Sequence, residues 1–247
     1  VTRSGDLVFV GDVHLDRDDA DLDRFLEFLD GLEPTVSRLV LAGDLFNLWI
    51  GRRELEQPHQ TAVLERFERM RGAGVVVRYI EGNRDFRIGP AYAGKAVDDS
   101  TDRGVVERFG GRSLFAAHGD LANVRDRQYR AWRRIARSRL MWALFNLIPR
   151  TRRLRFAESL EARMRGTNLD YKKEFPEADV REYAAGFLAG GHDAVVLGHF
   201  HLERDLQARP PSAPGRILVL PEWKEGGRYL RVTGEGEIRF EGASDLL

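Results

Sequence analysis

A chain of 247 residues with 43% hydrophobic content can bury a substantial core, and no run approaches the ~20 apolar residues of a membrane helix. Cysteine is absent, which excludes disulfides and thiolate metal sites and leaves His, Asp, Glu and Asn as possible ligands. The formal net charge of zero gives no overall pull towards nucleic acid or membrane, yet between Arg125 and Lys173 fifteen Lys and Arg face four acids, about +11 against −11 for the remainder. The chain opens Val1 to Gly5 with no long apolar segment behind it, so no signal peptide is expected and a cytoplasmic protein fits.

Leu7 to Val10 reads as a short strand running into Gly11-Asp12-Val13-His14, where the spacing of two puts Asp12 and His14 on one face. From Asp18, acids followed by Leu22, Phe25, Leu26 and Leu29 predict a helix. Arg38 to Ala42 is a second strand and ends in Gly43-Asp44. A second helix spans about Gln60 to Arg71, with Val63, Leu64, Phe67 and Met70 inward. Val75 to Ile80 is the third strand, followed by Gly82-Asn83-Arg84-Asp85-Phe86, and Ser113 to Ala117 is another, delivering His118-Gly119-Asp120. Strands alternating with helices imply a layered α/β core.

After Asp120 roughly seventy residues show helical spacing, so the reading is one domain over 1–247 with a helical insertion at about 121–190. Leu140 to Ile148 within it is an apolar run too short to span a bilayer, flanked by Arg137, Arg139, Arg150, Arg152, Arg153 and Arg155. The core resumes with a helix from about Asp179 to Ala189 and a strand from Ala194 to Leu197, ending in Gly198-His199-Phe200-His201. Ile217 to Leu220, Arg228 to Val232 and Glu237 to Phe240 read as strands of a terminal antiparallel sheet.

Four of the six histidines follow apolar strand-like runs. With Asp12, Asp44 and Asn83 they bring seven N and O ligands to the ends of five strands. Seven exceed the needs of one tetrahedral ion but suit two ions sharing a carboxylate. Such a pair, about 3.5–4 Å apart, activates water and clamps phosphoryl oxygens during in-line displacement, so phosphoester or phosphoanhydride hydrolysis is expected. Any one of these motifs alone is an ordinary turn or polar side chain; their ordered set is the signal. His59 and His192 lie outside it and are read as ordinary polar residues.

The ordered motifs resemble the calcineurin-like metallophosphoesterase superfamily, whose fold is a two-sheet α/β sandwich flanked by helices. The resemblance implies that Asp12, His14 and His201 hold one ion and Asn83, His118 and His199 the other, with Asp44 between them. The implied metals are Mn, or Fe or Zn. Many members carry His where Arg84 stands, and that His can protonate a leaving alkoxide. Arginine stays charged and cannot. It fits a leaving group that needs no proton, such as a phosphate monoester, and can neutralise diphosphate oxygens through paired hydrogen bonds.

The Gly82–Phe86 motif is similar to one branch, the UDP-2,3-diacylglucosamine diphosphatases of lipid A synthesis. So are Gly43-Asp44-Leu45-Phe46 followed by Trp49-Ile50-Gly51, the helical insertion, and Trp223 with Glu225-Gly226. That branch implies catalytic roles for Asp44, Asn83 and Arg84, an insertion that caps the site and receives acyl chains, and work at the inner membrane surface. Arg84, Asp126, Tyr129, Asn168, Lys172 and Lys173 are the candidate substrate contacts. The chain departs from the branch at Asn47, Arg52, Arg53 and Arg125, where acids are common. Basic residues around a short apolar run suit anionic headgroups, or else belong to an ordinary amphipathic cap helix. Alternatives are a nuclease or general phosphodiesterase using the basic insertion as a polyanion groove, and a membrane-surface binding protein with a vestigial metal site; no specific nucleic acid is expected as a partner.

Overall fold

The computed structural model describes residues 4–17, 20–165, 175–209 and 213–246. β1 (Asp6–Val10), α1 (Ala20–Leu32), β2 (Val36–Leu41), β3 (Trp49–Ile50), α2 (Pro58–Gly72) and β4 (Val76–Ile80) come first in the chain. The acidic start expected at Asp18 falls outside the described residues, although Asp21 and Asp23 occupy the first turn of α1. At α2, Gln57 and Gln60 form a capping box and Pro58 sits at the first helical position, where its missing N–H costs nothing. β5 (Asp85–Phe86), α3 (Gly89–Tyr92), β6 (Asp99–Thr101), β7 (Val105–Phe109) and β8 (Arg112–Ala117) follow.

The insertion supplies α4 (Arg127–Ala136), α5 (Arg139–Leu147) and α6 (Arg150–Arg165). α7 (Glu177–Ala189), β9 (Ala194–Leu197), β10 (Arg204–Gln207), β11 (Arg216–Val219), β12 (Arg228–Val232) and β13 (Ile238–Gly242) complete the α-helices and strands among the described residues.

Two sheets stack. The first runs β13-β12-β1-β2-β4-β6, with β1, β2, β4 and β6 parallel, and the second runs β10-β11-β9-β8-β7. Period-two alternation sorts the side chains. Leu7, Phe9 and Val40 face Leu114, Ala116, Ala194 and Val196 between the sheets. Val8, Val10, Leu39, Leu41 and Val77 face α1 and α2, while Phe115, Val195, Leu197 and Val219 face Val180, Ala184 and Leu188 of α7. The result is an α/β sandwich with a helical layer on each outer face.

The expected terminal antiparallel sheet forms only in part, as the β12–β13 pair. β12 and β13 extend the first sheet antiparallel to β1, whereas β11 pairs parallel to β9 in the second. The run Ile217-Leu218-Val219-Leu220 is apolar on both faces because both are covered, as in a parallel strand. β7 also joins the second sheet, and its fully buried Glu107 accepts hydrogen bonds from Arg38 at 2.7 Å and Arg78 at 2.9 Å across the gap.

Candidate metal centre

Asp12, Asp44, Asn83, His118 and His199 each lie just past the C-terminal end of a parallel strand, β1, β2, β4, β8 and β9 respectively. Open α/β sheets place ligands at that edge. The turns are strained: Asp12, His14, Asp44, His199 and His201 all take positive φ, between 52° and 74°. Left-handed backbone at a non-glycine residue costs about 1–3 kcal/mol, so five such residues converging on one spot mark a site the surrounding fold is built to hold. Gly82 is required by close approach, since a Cβ there would lie 2.2 Å from Asp44 Oδ1 and 2.8 Å from His118 Cε1.

Ligand atoms of Asp12, His14 and His201 lie within 4.8 Å of one another, as do those of Asp12, Asp44 and His118. His14 Nε2 is 3.2 Å from His201 Nε2, and His201 Nε2 is 3.6 Å from Asp12 Oδ1. On the other side, Asn83 Oδ1 is 3.0 Å from both His118 Nε2 and His199 Nδ1, and His118 Nε2 is 3.8 Å from Asp44 Oδ1. All seven sequence-nominated side chains are therefore gathered in one place. Asp12 Oδ1 and His14 Nδ1 are buried with no hydrogen-bond partner. A buried carboxylate oxygen without a donor is costly, and a cation beside it supplies the missing interaction, so the donor set fits divalent ions.

Electrostatics divide the four imidazoles into two lowered and two raised by neighbouring carboxylates. Burial lifts the Asp12 carboxyl to about 6 against the pull of His201 and His118. Burial, reinforced by Arg84 and His201, holds His14 well below the ordinary imidazole range, and burial with His118 takes His199 down to about 3. Burial also works against His118 and His201, but Asp44 and Asp12 around the first and Asp12 and Glu222 around the second raise both. Neutral imidazoles are the form that ligates a metal.

Supporting residues that the sequence reading did not assign hold these groups. Asp85 Oδ2 accepts from the backbone N–H of Asp44 at 2.9 Å and of Gly82 at 2.8 Å, so it orients the loop carrying Asp44. Glu222 Oε2 lies 3.5 Å from His201 Nδ1. Such outer partners fix a ligating ring's orientation. Their sequence signal was an acid inside or beside a motif. His59 instead packs edge-on to Phe46, and His192 Nδ1 is 2.9 Å from Ser113 Oγ.

Arg84 is buried at the rim, its Nε 3.6 Å from Asp44 Oδ2. Asp126 caps α4, accepting from Tyr129 N at 2.8 Å, and the Tyr129 hydroxyl donates to Asp120 Oδ2 at 2.5 Å. Asn168, Lys172 and Lys173 lie outside the described residues. Arg52 contacts Asn146 of α5, and its guanidinium sits 5.0 Å from the Trp142 ring centroid.

Beside the loop of Asn83 and Arg84, a groove of about 330 Å³ opens between that loop and the cap, lined by Ile50, Phe86, Trp132, Met141, Phe145 and Phe156. Trp142, Phe145, Leu154 and Leu160 of α5 and α6 pack on Leu48, Ile50 and Leu55. Leu140, Leu144 and Leu147 on α5 stay exposed at 69%, 49% and 79%. Among the described residues no helix is long and apolar enough to cross a membrane.

A family model described as calcineurin-like phosphoesterase matches residues 6–203. A protein of Aeromonas salmonicida named UDP-2,3-diacylglucosamine hydrolase is 33% identical over 95% of this chain and 92% of its own length. A Pseudomonas putida protein of the same name is 28% identical over 93% and 96%. A solved archaeal phosphodiesterase aligns with 96% of this chain and 99% of its own at 12% identity and a TM-score of 0.49.

Proposed function

This chain belongs to the calcineurin-like phosphoesterases and is a metal-dependent hydrolase, and from that premise we propose that it cleaves the diphosphate of UDP-2,3-diacylglucosamine, or a close nucleotide-linked lipid, to UMP and a lipid phosphate in lipid A synthesis. The observation that carries the reading is the apolar groove lined by Phe86, two residues beyond Arg84 in the same loop. A site built only for a soluble phosphoester has no use for it, whereas two acyl chains need such a surface.

We assign Asp12, His14 and His201 to one divalent ion, Asn83, His118 and His199 to a second, and Asp44 to both, with Mn the expected metal. Bound there, the pair supplies Lewis-acid polarisation of the phosphoryl group and an activated water. Arg84 donates hydrogen bonds to non-bridging diphosphate oxygens and holds the charge that develops on the departing phosphate monoester, which needs no proton. Asn83 Oδ1, 3.0 Å from both His118 Nε2 and His199 Nδ1, would be the amide's donor atom to that second ion, converging with the two ring nitrogens. Asp126 and Tyr129 seat the start of the cap, while Asn168, Lys172 and Lys173 are proposed contacts for the anionic end of the substrate.

The exposed Leu140, Leu144 and Leu147, with Arg139 and Arg150 beside them, supply the apolar and cationic elements of a surface-lying helix, so we place the protein at the cytoplasmic face of the inner membrane. Several cap arginines that a polyanion groove would need are already engaged: Arg133 with Asp120 at 2.6 Å, Arg137 with Glu81 at 2.6 Å and Arg153 with Glu54 at 3.1 Å.

Incubation with Mn and UDP-2,3-diacylglucosamine in water enriched in heavy oxygen tests the reading. The expected products are UMP carrying the label, from attack at the phosphorus nearer the nucleoside, and an unlabelled lipid phosphate. Turnover of aryl phosphates or nucleic acid alone would leave the hydrolase and remove the substrate.

A further inference from the structure

Glu81 and Arg137 form a buried ion pair that joins the loop after β4 to the cap, and neither residue is among the candidate metal ligands or the lining of the apolar groove. Glu81 follows β4 immediately before Gly82, and its carboxylate accepts from the backbone N–H of Ile88 at 2.7 Å and of Arg87 at 3.1 Å. It also accepts from Arg137 Nη1 at 2.6 Å, with the side chains 8% and 10% exposed. The other arm of Arg137, Nη2, donates to the carbonyl oxygens of Gly82 and of Asp85, the latter at 2.9 Å. The segment from Gly82 to Ile88 is thus fixed from below at residues 82, 85, 87 and 88, and Asn83 and Arg84 are the two residues between the carbonyls that Arg137 grips.

The origin of that grip matters. Other supports of this loop come from outside the cap: Asp85 of the loop itself accepts from the N–H groups of Asp44 and Gly82, Asp44 Oδ1 accepts from the N–H of Arg84, and the N–H groups of Trp49 and Gly51, in and beside β3, donate to the carbonyls of Arg84 and Phe86 at 2.9 and 2.8 Å. Arg137 comes from the cap, at the C-terminal end of α4. The same helix lines the groove with Trp132 and Ala136 and holds Asp120 through Tyr129 and Arg133. Only a planar, forked cation spans a carboxylate and two carbonyls at once; a lysine ammonium is a single point. A buried pair of this kind adds little net stability over an apolar replacement, so its value lies in geometry.

We propose that Arg137 is a positioning residue that sets Asn83 and Arg84 from the cap, so that the seat of α4 governs both the Asn83 ion site and the reach of Arg84. The inference rests on the reading that these two residues meet ion and diphosphate. Two variants test it: the double Glu81→Gln/Arg137→Met, which leaves no unpaired buried charge, and Arg137→Lys, which keeps the charge and loses the fork.

For the double variant, amide exchange across residues 82–88 of the metal-free protein should accelerate at least about tenfold. Mn affinity measured by calorimetry should weaken about 10–100-fold for one ion and hold for the other. On the lipid diphosphate, kcat should fall at least about tenfold with KM within about threefold, the pattern of an interaction needed in the transition state. Arg137→Lys should give smaller changes in the same three readouts. Wild-type exchange and Mn affinity in both variants would overturn the inference, even if melting temperature dropped. Should one variant fail to fold, the other decides alone by the same readouts. Should the wild type release no UMP, the substrate reading falls while exchange and calorimetry still decide the role of Arg137.

Discussion

The sandwich and the cap treat their apolar residues in opposite ways. Within the sandwich, alternate side chains of β1, β2, β8, β9 and β11 are buried on both faces. In the cap, α4 and α5 contain no buried residue, and among the described residues seven of the nine large hydrophobic side chains that are exposed belong to α4, α5 and α6. Each such side chain left in water forgoes about 1.5–3 kcal/mol of burial. A fold accepts that cost where a ligand or surface will cover the patch. The difference teaches a division of labour: the sandwich holds a rigid, strained ligand cluster, and the cap presents an adaptable apolar face to what is brought to it.

The comparison breaks most severely at the sandwich. Asp44→Ala should abolish stoichiometric binding of two Mn ions, measured by elemental analysis after gel filtration, and reduce turnover at least about a thousandfold. The cap groove should be intact, so an environment-sensitive apolar dye should bind as tightly as to the wild type. Retention of both ions and activity would remove Asp44 from the site. Arg84→His comes next and sharpens the chemistry at the join of the two regions. Loss of a fixed charge at the leaving group should lower diphosphate turnover about a hundredfold, while hydrolysis of an alkyl phosphate monoester rises because imidazole can donate a proton. Falls of equal size on both substrates would make Arg84 structural. The smallest effect belongs to the membrane face. Leu140→Glu with Leu147→Glu should weaken sedimentation with anionic vesicles about tenfold and leave the turnover of detergent-dispersed substrate unchanged. Unaltered sedimentation would put the membrane contact elsewhere.

The gathering of the candidate site was legible in the sequence because strand-end motifs are local: an apolar run followed by Gly-Asp or Gly-His-x-His names both the strand and its candidate ligand. The pairing of β11 with β9 was not, because a strand's partner depends on contacts far away in the chain, although the unbroken apolarity of Ile217 to Leu220 was a usable sign of burial on both faces. β7 was hidden by Glu107, a charge whose burial makes sense only once Arg38 and Arg78 arrive from the opposite sheet. Arg137 looked like one of several basic residues flanking an apolar run. Its contacts with Glu81, Gly82 and Asp85 are set by the crossing of α4 over the loop, which no spacing rule reports.

The claim that the sandwich performs the chemistry while the cap selects a lipid is tested most directly by filling the groove. Ala136→Phe places a ring where Trp132, Met141 and Phe156 face one another. With Mn present, kcat/KM for UDP-2,3-diacylglucosamine and for a water-soluble aryl phosphodiester should be measured side by side in this variant and the wild type. The account predicts a loss of about a hundredfold or more on the lipid substrate, worth about 3 kcal/mol of apolar contact, with the soluble ester unchanged. Equal rates for the lipid substrate in the two proteins, or equal losses on both substrates, would contradict it.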